Sequence, residues 1–143
     1  MNTVNPEVLK RVTVFSTCTM PQLERLVGAG QVTKHAAGDQ LMEEHGVGYR
    51  FHVLLEGRAA VERGGKRISE VTAGEFVGEI SLLGGGHCTA TVRCSEPTTC
   101  LTVTRDNFWS LLEAEPAIGL RILEVLCRRL ERELEPGMTC NLT

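Results

Sequence analysis

The spacing of apolar positions changes character twice along this chain, and each change marks a boundary. Near the N-terminus, Leu23, Leu26 and Val27 recur at helical intervals. Thr19 suits the N-cap of that run, and Pro21 suits its first turn. Gly28-Ala29-Gly30 ends it. From about Gln31 to Val103, short alternating segments are punctuated by glycines such as Gly38, Gly46, Gly48, Gly57 and Gly74. That is the texture of strands and turns. Phe51-His52-Val53-Leu54-Leu55 ends at Gly57. Ala59 to Arg63 and Lys66 to Val71 flank Gly64-Gly65, which predicts a two-residue hairpin because such a turn needs positive φ. Thr89 to Cys94 and Cys100 to Thr104 read as two further strands around a Glu96-Pro97 turn. Many short strands so spaced predict a sandwich or small barrel. One stretch inside this region, Gly78 to Leu83, lacks strict alternation and runs into Gly84-Gly85-Gly86, as a single helical turn would.

The last third returns to the helical period. Arg105 to Glu113 carries Phe108, Trp109, Leu111 and Leu112. Pro116 opens a longer helix that Pro136-Gly137 ends, leaving Met138 to Thr143 as a frayed tail. Ile118, Ile122 and Val125 form one stripe of this helix, and Leu123, Leu126, Leu130 and Leu134 form its neighbour. Glu124 and Arg128 make a supporting i,i+4 pair. An apolar band this wide has two burial partners, the β body and a second copy of the chain, or else one deep seat on the barrel. The whole reads as one mainly β domain with flanking helices. Residues 1–30 form an N-terminal helical segment, 31–104 the β-roll, 105–136 the C-terminal helices and 137–143 the tail.

Composition narrows the function classes. The chain has 143 residues, 42% apolar and 23% charged, with net charge −3. One domain with a real core fits that length. The charge balance lacks the basic footprint that nucleic acid or an anionic membrane would require. No apolar run approaches the roughly 18 residues of a membrane span, and Met1 to Arg11 has no signal-peptide core. A cytoplasmic protein is expected, with its six cysteines reduced. Cys94, Cys100 and Cys127 fall at apolar-patterned positions, where cysteine acts as a small hydrophobe. His87-Cys88 has no CxxC partner, and His35, His45 and His52 are scattered, so no metal site is expected. No nucleophile elbow, P-loop or paired-carboxylate arrangement stands out, so the chain is not expected to be an enzyme.

The stretch Gly74-Glu75-Phe76-Val77-Gly78-Glu79-Ile80-Ser81-Leu82-Leu83, followed by Thr89-Ala90-Thr91-Val92, resembles the phosphate-binding cassette of the cyclic-nucleotide-binding domains. These occur in catabolite-activator-type regulators, in regulatory subunits of cyclic-AMP-dependent kinase and in nucleotide-gated channels. Phe51 to Gly57 is similar to the glycine-ended strand before that cassette, and Val14-Phe15-Ser16 with Gln22-Leu23 to the opening helical segment. The resemblance covers roughly residues 10 to 135. It implies a β-jelly-roll (double-stranded β-helix) with an N-terminal helix, a short cassette helix and C-terminal helices. It also implies the ligand-binding residues Gly78, Glu79, Ile80, Ser81, Cys88, Thr89 and Ala90. Glu79 would accept the ribose 2′-hydroxyl; the bland alternative is a solvated turn residue. The amides of Ile80 and Ser81 would meet the phosphate at a helix start, and Gly78 would allow close backbone approach. Thr89 would offer a hydroxyl, and Ala90 a small neighbour.

One departure is large. The family places an arginine just before that threonine, and here Cys88 stands there, after His87. A charge-assisted hydrogen bond contributes about 1.5–3 kcal/mol, which is roughly ten- to a few-hundred-fold in affinity. Protonated His87, a Gly84-Gly85-Gly86 amide nest or Arg93 are the candidate substitutes. The resemblance implies a sensor of a cyclic nucleotide, cyclic AMP before cyclic GMP, that signals through movement of the C-terminal helix. Arg128 and Arg129 are placed by position to cap the base. The alternative is a degenerate pocket, open to another small anion or to none, in a module that forms a homodimer or docks on a larger effector protein. Only about eight residues follow Glu135, too few for a helix-turn-helix, so no direct DNA binding is expected.

Overall fold

A computed structural model describes residues 4–84 and 86–134, with the side chains of Thr13 and Ser81 outside the description. Short 3-10 helices at Pro6–Arg11 and Thr13–Phe15 precede α1 (Met20–Ala29). Thr19 caps α1 as expected and adds a reciprocal bond. Its hydroxyl accepts from the Gln22 amide at 3.4 Å, and the Gln22 side chain accepts from the Thr19 amide at 2.8 Å.

The β body follows as β1 (Gly30–His35), β2 (Gln40–Met42), β3 (Arg50–Glu56), β4 (Arg58–Arg63), β5 (Lys66–Thr72), β6 (Phe76–Val77), β7 (Thr91–Cys94) and β8 (Thr98–Thr104). Between β6 and β7 lies the short helix α2 (Glu79–Leu83). The strands form two antiparallel four-stranded sheets, ordered β1-β8-β3-β6 and β2-β7-β4-β5. The expected jelly-roll with flanking helices is therefore the observed fold.

The chain completes itself with α3 (Arg105–Ala114) and α4 (Pro116–Leu134). The end expected at Pro136-Gly137 and the frayed tail, residues 137–143, lie outside the described residues.

β3 explains its own lack of alternation. Phe51 and Val53 point to the helices, joining Phe15, Leu23, Phe108, Ile118 and Ile122 in one core. Leu54 points the other way, joining Ala59, Val71, Val77, Val92 and Cys100 between the sheets. A strand covered on both faces reads as a continuous apolar run. β8 is buried in the same way, with Leu101 and Val103 on one side and Cys100 on the other.

The β4–β5 hairpin forms where Gly64-Gly65 predicted it, with φ of 61° and 78°. Three expectations are corrected. The strand expected from Thr89 begins at Thr91, because the Thr89 carbonyl bonds to the Arg63 side chain at 3.0 Å and not to a strand ladder. β7 and β8 flank Glu96-Pro97 but do not pair; the turn is a corner that carries the chain from one sheet to the other. The first strand already starts at Gly30, inside the segment read as helical.

Candidate functional site

Gly78 opens the cassette in the left-handed region, at φ 99°. A Cβ here would stand 2.3 Å from the Arg50 carbonyl oxygen of β3. The glycine is thus required by the turn and by a neighbouring strand, whereas the sequence reading assigned it to ligand approach. The turn makes Glu79 the first residue of α2 and drives its side chain inward, to 3% exposure. The solvated-turn alternative is thereby overturned.

An isolated buried carboxylate is costly unless paired. Arg129 of α4 supplies the partner: its Nη1 donates to Glu79 Oε1 at 2.9 Å. Its Nη2 donates to the Phe76 carbonyl at 2.7 Å, and its guanidinium sits 4.6 Å from the Phe76 ring centroid. Glu79 Oε2 has no hydrogen-bond partner among the described residues. Burial pushes the Glu79 carboxyl above the usual carboxylate range, opposed by Arg129.

Glu79 faces a cavity of about 660 Å³, a volume suited to a small organic ligand. Its walls are Val61, Val71, Val77 and Val92 from the roll. Its lid is the later half of α4, through Leu126, Arg129 and Leu130. Gly78, Glu79, Ile80, Thr89 and Ala90 line it together, as the cassette reading places them.

Cys88 does not line it. The thiol is buried, and the residue's backbone is clamped to a neighbouring loop, with its amide on Gly46 O at 2.8 Å and its carbonyl accepting from His45 at 2.9 Å. Ser81 lies in α2, and its side chain is outside the description.

The substitutes for the absent arginine also lie elsewhere. Arg93 turns outward, 3.7 Å from Glu62. His87 is exposed and bridges to Val47 through the backbone. The Gly84 amide is spent on Ile80 O at 2.8 Å, and Gly85 lies outside the described residues. Arg128 pairs with Glu124, away from the cavity. The sequence reading missed Arg63, which also lines the cavity; the only available signal was its i+2 spacing from Val61 on one strand face. Among the described residues no group of metal-ligating side chains clusters, and no helix is long and apolar enough to cross a membrane.

The profile of the cyclic nucleotide-binding domain matches residues 32–115. The chain belongs to that family. It is a family of regulatory binding domains and not itself catalytic. A "cAMP-dependent protein kinase regulatory subunit" of Hypocrea atroviridis is 28% identical over 104 residues, 73% of this chain and 22% of the relative. The domain thus spans about a fifth of the length of that curated relative. A solved cyclic nucleotide-binding domain from Methylobacillus flagellatus covers 90% of this chain, itself covered to 77%, with 25% identity and a TM-score of 0.77. The catabolite activator protein of Thermus thermophilus has the same TM-score, 0.77, over 84% of this chain and 59% of its own, at 22% identity. That likeness speaks for the fold alone.

Proposed function

We propose that the domain is a cytoplasmic cyclic-nucleotide sensor, with cyclic AMP as its first ligand, and that the ligand acts by changing how α4 lies over the cavity. The carrying observation is Glu79: a carboxylate at 3% exposure that lines the cavity beside α4, one oxygen held by Arg129 and the other without a hydrogen-bond partner among the described residues. A ribose 2′-hydroxyl that donates to Oε2 would satisfy that acceptor. The phosphodiester would lie toward the start of α2 and the Thr89-Ala90 turn, where the Ile80 and Ser81 amides are assigned to it. Leu126 and Leu130 would cover the base.

The signalling step follows from the same contact. A hydroxyl on Oε2 favours the ionised carboxylate, and this strengthens its pair with Arg129 on α4. The ligand therefore binds one placement of α4 better than others, which is the condition for shifting a helix population.

Titration calorimetry with cyclic AMP and cyclic GMP tests the reading, with tighter binding expected for cyclic AMP. No heat and no thermal shift with either nucleotide at millimolar concentration would overturn it. The second reading, an interaction module with an inactive pocket, is favoured by Cys88, whose buried thiol offers no charge to a phosphate. It predicts that null result together with an intact dimer or effector complex through α4.

A further inference from the structure

A cyclic nucleotide's phosphodiester carries a full negative charge wherever its ribose and base are placed. Three arginines line the cavity: Arg63, Arg129 and Arg132. Arg129 is committed to Glu79 and to the Phe76 carbonyl. Arg132 is exposed on α4. Arg63 is held differently. Its Nε donates to the Thr89 carbonyl at 3.0 Å, fixing the guanidinium against the Thr89-Ala90 turn. Its strand end is also fixed, since the Gly64 amide donates to Glu44 Oε1 at 2.9 Å. That leaves the two terminal nitrogens. Glu133 of α4 stands 3.8 Å from Nη2, beyond hydrogen-bond distance and with both side chains about half exposed. Such a pair is weak.

Resting on the cyclic-nucleotide reading above, we propose that Arg63 of β4 supplies the positive charge that binds the ligand's phosphodiester, and that Glu133 of α4 competes with the ligand for it. A guanidinium presents a planar fork of donors that matches a phosphate's oxygens. With Nε occupied by a backbone carbonyl, the fork is already oriented, so little side-chain freedom is lost on binding. The competition has a mechanical consequence. Arg129 and Glu133 are one turn apart on the same face of α4. Ligand strengthens the grip at Arg129 and loosens the contact at Glu133. The helix is then held at one point and released one turn further on.

The test is calorimetry with cyclic AMP on the full chain and four variants. Arg63→Gln is expected to weaken binding about 10- to 100-fold. Glu133→Gln is expected to tighten it about 2- to 5-fold, and that gain is expected to vanish in the Arg63→Gln background. Arg93→Gln, which removes a charge of the same sign that turns outward from the cavity, should change affinity less than about 2-fold. Opposite signs at 63 and 133, coupled to each other, are not produced by a merely structural role. An Arg63→Gln affinity within twofold of the parent overturns the proposal, as does a Glu133→Gln gain that persists without Arg63. If Arg63→Gln fails to fold, Arg63→Met, which keeps the aliphatic stem and removes the charge, is measured in its place, and unchanged affinity there overturns the proposal too. A parent chain that binds neither cyclic AMP nor cyclic GMP sinks the nucleotide reading and this one with it. A parent that binds beside an indifferent Arg63→Gln sinks this one alone.

Discussion

Two buried titratable residues respond to pH in opposite directions. His52 lies between the sheets at 3% exposure, its Nδ1 3.0 Å from the Thr102 hydroxyl. Burial, with His35 and Arg50 adding to it, lowers its pKa to about 4. The folded state thus binds fewer protons than the unfolded state between about pH 4 and 6.5, so stability falls as pH drops through that window. The loss amounts to up to about 3 kcal/mol at 1.36 kcal/mol per unit. Urea denaturation at pH 7 and pH 4.5 should show the drop, and His52→Gln should flatten it. Glu79 has its folded pKa raised, so its contribution is present at low pH and is lost as pH rises through that pKa. Glu79→Gln should therefore melt at or above the parent temperature at neutral pH, while losing at least tenfold in cyclic AMP affinity. Gly78→Ala is the contrasting case. It adds about 1–2 kcal/mol of left-handed strain to a collision with the Arg50 carbonyl, and denaturation should report a loss larger than the strain alone.

Elements were legible from the sequence in proportion to how much of their stability is local. The Gly64-Gly65 hairpin, the Thr19 cap and the α3 and α4 periodicities are written within a few residues, and all formed as read. β2 and β6, at three and two residues, are too short to carry a period, and they exist because neighbouring strands hold them. The site's electrostatics were hidden for the same reason. Arg129 meets Glu79 across 50 residues and Arg63 meets Thr89 across 26. Only closure of the roll and docking of α4 create those pairs. Cys88 shows the limit from the other side, since a motif position fixed its place in the chain but not its burial outside the cavity. Arg129→Ala tests how far α4 depends on this one anchor. It leaves a buried carboxylate without its cation, a loss of roughly 3 kcal/mol unless Glu79 takes up a proton. Hydrogen exchange should show the last two turns of α4 opening more readily, with little change at β3 or β8.

At the scale of the whole molecule, one surface is unaccounted for by the fold. Leu120 and Leu123 on α4 are 61% and 54% exposed. With the exposed Cys127 they repeat at three- and four-residue intervals, the spacing that a two-helix coiled coil uses. Homodimerisation through this face, as the wide apolar band implied, is expected to show in sedimentation as twice the chain mass, 15.6 kDa. Leu123→Glu should return the monomer without unfolding it, because the fold buries Ile118 and Ile122 and not Leu123.

The pairing of the first strand with the last has a separate consequence. β1 lies against β8, and Thr33 bonds to Thr102 across 69 residues of chain. The order of synthesis is then a constraint on birth. While the ribosome still holds Val103, Gly30 has nothing to lie against, and β3 also lacks its main neighbour. The nascent chain should stay protease-sensitive along β1 and β3 until Thr104 has cleared the exit tunnel, and become fully resistant only when α3 and α4 have followed it and covered Phe51 and Val53.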